Sequence, residues 1–103
     1  MKIMAYKHVI LWSLKEEYKN DEIRKGIKEG LESLEGKIPG MTYIHVQIDP
    51  TDGSNADAML ENVFETEEDL KAYAVNPDHN AIADKYVRPY TEVRLCLNFK
   101  IED

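Results

Sequence analysis

Apolar and polar positions alternate unevenly along "IMAYKHVILWSL", and the stretch is rich in β-branched and aromatic residues, so Ile3–Leu14 is predicted as a strand. One parity carries Met4, Tyr6, His8, Ile10, Trp12 and Leu14, and the other carries Ile3, Ala5, Lys7, Val9, Leu11 and Ser13. Both contain apolar residues, so both faces are expected to be covered at least in part. The period then changes. Ile23, Ile27, Leu31 and Leu34 follow at spacings of four, four and three, which predicts a helix capped by Asn20 or Asp21 and stopped by Gly36. Gly26 and Gly30 weaken it by about 1 kcal/mol each relative to Ala. That marks either close packing or a marginal helix, with packing preferred. Pro39-Gly40 is a turn.

Alternation resumes in "TYIHVQI", where Ile44, Val46 and Ile48 oppose Tyr43, His45 and Gln47. "DPTDGSNAD" is a loop, and "AMLENVFE" a third strand with Ala58, Leu60, Asn62 and Phe64 on one side. "TEEDLKAYAV" is a helix with Thr66 as its cap and Leu70, Tyr73 and Ala74 inward. Asn76 ends it, and Pro77 opens a further helix to about Tyr86. The last strand, "EVRLCLNFK", sets Val93, Leu95, Leu97 and Phe99 against Arg94, Cys96 and Asn98. The order β-α-β-β-α-(α)-β is a split β-α-β pattern. It implies an α+β fold: a four-stranded antiparallel sheet with helices on one face. The more apolar parity of each strand is expected beneath the helices. The second face, with Val9, Leu11, Tyr43, Met59, Val63 and Cys96, is too apolar to stay in water, and a second sheet from an identical chain would cover it.

Composition narrows the function classes. The 103 residues suit one domain over 1–103. A net charge of −7, with basic residues scattered among carboxylates, argues against nucleic acid and anionic membranes as partners. Cys96 is the sole cysteine, so no internal disulfide is expected. Lys7 and His8 interrupt the apolar start and no small-residue cleavage site follows, so neither a secretory leader nor a membrane span is expected, and the cytoplasm is the default location. No two histidines share metal-ligand spacing, and no haem-ligand signature is visible, so no metal or cofactor is implied.

One conflict in the pattern carries chemistry. The helix-facing parity should be dry, yet it contains His8 and Asn62 on strands that a split β-α-β topology makes neighbours. Tyr73 and His79 approach the same layer from either side of the Asn-Pro break. Four polar groups are therefore expected to converge on one cavity walled by Ile10, Trp12, Leu31, Leu60 and Leu95. Plainer readings stand beside this one. A strand histidine is commonly a hydrogen-bonded core residue, Tyr73 sits at core spacing from Leu70, and Asn76-Pro77-Asp78-His79 reads fully as a helix cap.

The pieces "KHVILWSLK", "KIPGM", "FETEEDLKAYAVNPDHNAIADKYVRP" and "VRLCLNFK" resemble the stress-responsive α/β-barrel (Dabb) family of dimeric ferredoxin-like barrels. The resemblance spans nearly the whole chain and implies a homodimer whose two sheets form one barrel. Within that family, olivetolic acid cyclase of plants uses a Tyr–His pair for aldol-type ring closure, and the matching positions are Tyr73 and His79, with His8 as a pocket histidine. The chain departs from the cyclase at Asn76, at the Ile27, Lys28 and Leu31 helix wall and at Tyr90. The resemblance implies a cofactor-free acid/base enzyme (cyclase, isomerase or lyase) with His79 as base, Tyr73 as hydrogen-bond donor, and His8 and Asn62 orienting the substrate. A non-catalytic small-ligand-binding homodimer is the alternative, and cofactor-free monooxygenase chemistry a third.

Overall fold

The computed structural model describes residues 4–102, so Ile3 of the predicted first strand lies outside the described residues. Strand β1 (Met4–Leu14) leads through a short 3-10 turn to helix α1 (Asp21–Glu32). Strands β2 (Met41–Gln47) and β3 (Ala58–Phe64) follow, then helices α2 (Glu67–Ala74) and α3 (Pro77–Tyr86), and finally β4 (Thr91–Glu102). The sheet order is β2-β3-β1-β4, with every neighbouring pair antiparallel. This is the split β-α-β arrangement, with β1 and β3 adjacent as expected.

Local chemistry sets the element boundaries. Asn20 Oδ1 accepts from the Ile23 amide, Thr66 Oγ1 from Asp69, and Asn76 Oδ1 from both Asp78 and His79, so each helix starts on a side-chain cap. Helix α1 stops at Glu32, four residues before the Gly36 predicted from the glycine alone. Glu32 is held at the strand edge: its Oε2 accepts from the Val46 amide at 2.9 Å and from Lys28 Nζ at 2.7 Å. Irregular turns then carry the chain to Gly36, whose φ of +77° is the left-handed conformation that favours glycine. At the Pro39-Gly40 turn, φ is +76° and a Cβ on Gly40 would run into the Asp69 carboxylate.

The core lies between the sheet and the helices. Ile10, Trp12 and Leu14 of β1, Val46 of β2, and Ala58, Leu60 and Phe64 of β3 pack there under Ile27, Leu31 and Leu34, with Leu70, Tyr73 and Val87 beside them. Strand β4 adds nothing to this core. Its apolar parity lies on the opposite face, where Val93, Leu95, Leu97 and Phe99 are exposed along with Leu11 and Tyr43.

The glycines of α1 mark close packing. The Tyr86 ring of α3 lies over them, and a Cβ at Gly30 would stand 2.7 Å from Tyr86 Cδ2, against 3.4 Å from Cδ1 at Gly26. Gly30→Ala is expected to destabilise the fold by about 1–2 kcal/mol, because the overlap outweighs the gain in helix propensity. Urea midpoints measure this, and in a Tyr86→Leu background the same substitution should become neutral or stabilising.

Candidate active site

Three elements build one groove beside α2. The end of α2 brings Leu70, Lys71, Tyr73 and Ala74; α3 and the turn after it bring His79 and Arg88; the sheet brings His8, Arg94, Cys96 and Asn98. The cavity they line has a volume of about 290 Å³. The Asn76 cap and Pro77 make the chain break between α2 and α3 sharp enough for Tyr73 and His79 to meet across it. Their ring centroids are 4.0 Å apart and the planes are inclined by 32°. His8 meets Tyr73 edge-on at 5.8 Å, and Phe64 supports the phenol from the core at 5.3 Å.

The hydrogen-bonding state of these groups is unequal. His8 Nδ1 donates to Asn98 Oδ1 at 2.6 Å, the residue directly opposite on β4, which leaves Nε2 of the neutral ring as an acceptor. Tyr73 is 2% exposed, and among the described residues its hydroxyl has no partner in hydrogen-bond geometry. His79 Nδ1 is likewise buried and unpartnered. Burial pushes the Tyr73 phenol up to about 12, against the opposing effect of the Asn62 side chain, so the phenol is a donor throughout the physiological range. Burial also lowers the His79 imidazole to about 4, with Arg88, His8 and Arg94 adding to the effect and the Tyr73 backbone pulling back against it. His8 is lowered chiefly by burial, against its bond to Asn98 and with Arg94. Both imidazoles are therefore neutral near pH 7.

The expected convergence is met by three of the four polar residues. His8, Tyr73 and His79 line the groove, whereas Asn62 is fully buried behind it, with Nδ2 against Met41 Sδ at 3.6 Å and Oδ1 unpartnered. The expected apolar wall is not the wall. Ile10, Trp12, Leu31 and Leu60 are core residues no more than 5% exposed, because α1 seals that part of the sheet. Leu95 is 62% exposed on the other face, since it pairs with Leu11, while Cys96 pairs with Ile10 and so faces the helices, opposite to the side expected for it. The more apolar parity of β4 faces away from the helices, and its polar parity of Arg94, Cys96 and Asn98 borders the groove. Lys71, Arg88, Arg94, Cys96 and Asn98 were not singled out by sequence. The alternation R-x-C-x-N was the available signal, readable only with the β1–β4 register. His45 stays outside the groove, with Nε2 3.2 Å from Gln47 and Nδ1 3.7 Å from Glu32. Among the described residues no group of three or more His, Cys, Asp or Glu is gathered as metal ligands would be.

Comparison with known proteins gives this geometry a setting. The family model for the stress responsive A/B barrel domain matches residues 6–101. No curated protein matches the chain. Among solved structures, a dimeric protein of unknown function with a ferredoxin-like fold from Bacteroides fragilis superposes with a TM-score of 0.85 at 26% identity, covering 94% of this chain and 96% of that one. A dimeric ferredoxin-like protein of unknown function from Thermobifida fusca gives 0.82 at 20% identity, with coverage of 95% and 92%. The hydroxynitrile lyase from Passiflora edulis gives 0.78 at 17% identity, with coverage of 94% and 93%. The last two likenesses establish the fold alone.

An unpartnered buried hydroxyl opposes folding, so Tyr73→Phe should leave the thermal melt unchanged or raise stability by up to about 1 kcal/mol. A fall of more than that would mean that the hydroxyl bonds within the fold. The histidine gives a pH signature. Its pKa is lower folded, at about 4, than its ordinary 6.5, so the unfolded chain binds the extra proton between those values. The stability from neutral His79 is full above pH 6.5 and is lost as pH falls towards 4. Denaturant midpoints across that window should fall less for His79→Gln than for the parent, by on the order of 1–2 kcal/mol after allowing for solvent screening.

Proposed function

The chain belongs to the stress-responsive A/B barrel (Dabb) family, and from that premise we propose that its groove binds a small carbonyl compound and moves the proton beside the carbonyl, without a cofactor. The observation that carries this reading is the Tyr73–His79 pair: two rings in contact on a cavity wall, one a phenol and one a neutral imidazole, each with an unpartnered polar atom. Neutral His79 takes a proton from the carbon next to the carbonyl. The Tyr73 hydroxyl donates to the oxygen on which the enolate charge gathers, in a site that already excludes much of the solvent. His8, fixed by Asn98, supplies an acceptor on the same wall. Proton transfer next to a carbonyl is the step shared by aldol-type cyclases and isomerases. A lyase that releases a carbonyl compound needs the same oxygen stabilisation and a base for the departing hydroxyl proton, and one solved structure of this fold is a hydroxynitrile lyase.

One feature favours a second reading, ligand binding without chemistry. A base with a pKa of about 4 is weak at pH 7, where general-base catalysis is most effective with a pKa near the working pH. Both readings take the protein as a homodimer. The exposed row of Leu95, Leu97, Phe99, Val93, Leu11 and Tyr43 is an apolar sheet face suited to a second copy, and two structures of this fold are described as dimeric.

Proton exchange separates the two readings before the natural substrate is known. In D2O, the α-protons of phenylacetone and phenylpyruvate should exchange faster with the protein than in buffer, as followed by proton NMR. His79→Gln should slow that exchange at least about a hundredfold, and Tyr73→Phe about tenfold or more, with both variants folded. Exchange at the buffer rate with the parent protein would leave only the binding reading.

A further inference from the structure

We propose that the groove selects an organic acid, a small carbonyl compound with a carboxylate, and that Arg94 on β4 holds the carboxylate while the carbonyl end rests against Tyr73 and His79. This rests on the acid–base reading and names the substrate class for it.

Charge is the first argument. The chain carries 20 Asp and Glu against 13 Lys and Arg, yet the groove is bordered by Lys71, Arg88 and Arg94 and by no carboxylate. The positive field there runs against the balance of the whole molecule. It reaches both imidazoles, because Arg88 and Arg94 act on the His79 ring and Arg94 also acts on His8. An anion seated between them would offset that repulsion and raise the basicity of His79, which is the shortfall in its present state.

The second argument is which cation is free to bind. Arg88 is committed to its own helix and the turn after it: Nη1 donates to Asp84 at 2.6 Å and Nη2 to Asn80 at 3.0 Å. Lys71 lies 4.0 Å from Glu67. Among the described residues, Arg94 makes no side-chain hydrogen bond or ion pair, so its whole planar fork is available, and that fork matches a carboxylate through two parallel hydrogen bonds. Cross-strand pairing sets Arg94 opposite Trp12 and two residues from Cys96, on the same side of the sheet as His8. Leu70, Ala74 and the Tyr73 ring face supply the apolar part of the wall, and about 290 Å³ is the small end of the range for ligand cavities, suited to an acid of modest size.

Calorimetric titration with phenylpyruvate and with its methyl ester tests the assignment. The acid should bind about tenfold or more tightly than the ester, and added salt should weaken the acid alone. Arg94→Gln should bring the acid to the level of the ester without changing the ester, and Arg94→Lys, which keeps the charge and loses the fork, should fall between. An ester that binds as well as the acid, an unchanged preference in Arg94→Gln, or no binding of either at millimolar concentration would overturn the proposal. His79→Gln keeps the two readings apart, because it should retain the preference for the acid while losing α-proton exchange. Acid-selective binding without exchange in the parent protein would remove the chemistry and leave the ligand class standing.

Discussion

The pairing of β1 with β4 fixes what the groove is made of. His8 stands opposite Asn98, Ile10 opposite Cys96 and Trp12 opposite Arg94, and side chains that face each other across an antiparallel pair share a side of the sheet. A slip of one residue would bring Leu95 and Leu97 under the helices and turn Arg94 and Asn98 to the opposite face. The sheet side of the groove would then be apolar, His8 would lose its 2.6 Å partner, and Arg94 would no longer act on the two imidazoles, leaving Arg88 beside His79. The sheet side of the site thus follows from one register, which eleven residue pairs of the β1–β4 ladder among the described residues hold in place.

Within that frame the electrostatics lean one way. Burial disfavours charge on His8 and His79, and the nearby guanidinium groups disfavour it further. Burial also keeps the Tyr73 phenol protonated. The result is a site with neutral rings inside and cations at its border. Its acceptors are imidazole nitrogens and the Asn98 carbonyl, and its donors are the phenol and the basic side chains. Such an arrangement has little to offer a cationic ligand. It suits a molecule with an oxygen for the phenol and a negative end for the border. The unsatisfied hydroxyl of Tyr73 reinforces this, because a buried donor left without a partner costs on the order of 1–3 kcal/mol, which a bound oxygen would return.

Much of this was legible in the residues themselves. Periods of two and of 3.6 located the four strands and three helices, and Asn20, Thr66 and the Asn76-Pro77 pair marked where helices begin. The polar intrusions of His8, Tyr73 and His79 pointed to the groove. What failed was a rule that holds for a sheet with a single buried face, that the more apolar parity lies under the helices. On β1, β2 and β3 it holds. On β4 it is reversed, because α1 packs against β2 and seals the core elsewhere, so the apolar row of β4 goes to the other face. Composition alone cannot tell which of two useful faces an edge strand serves. The end of α1 was misjudged for a related reason: the contact of Glu32 with the Val46 amide is long-range, and nothing local to Gly36 announces it.

That reversal ties two functions to one strand. Odd positions of β4 from Val93 to Phe99 form the apolar face proposed for a second copy, and the even positions Arg94, Cys96 and Asn98 border the groove. Neighbouring residues on a strand cannot move independently, since each peptide unit is shared between the two faces. Strand β4 is, like β2, an edge of the sheet, and among the described strands it is paired along one side by β1. Covering its apolar row would stiffen the same backbone that carries Arg94 and the Asn98 partner of His8. Association and ligand selection then share a physical basis. A second copy on that face need not reach the groove to affect it, because holding the odd residues still would also hold the even ones.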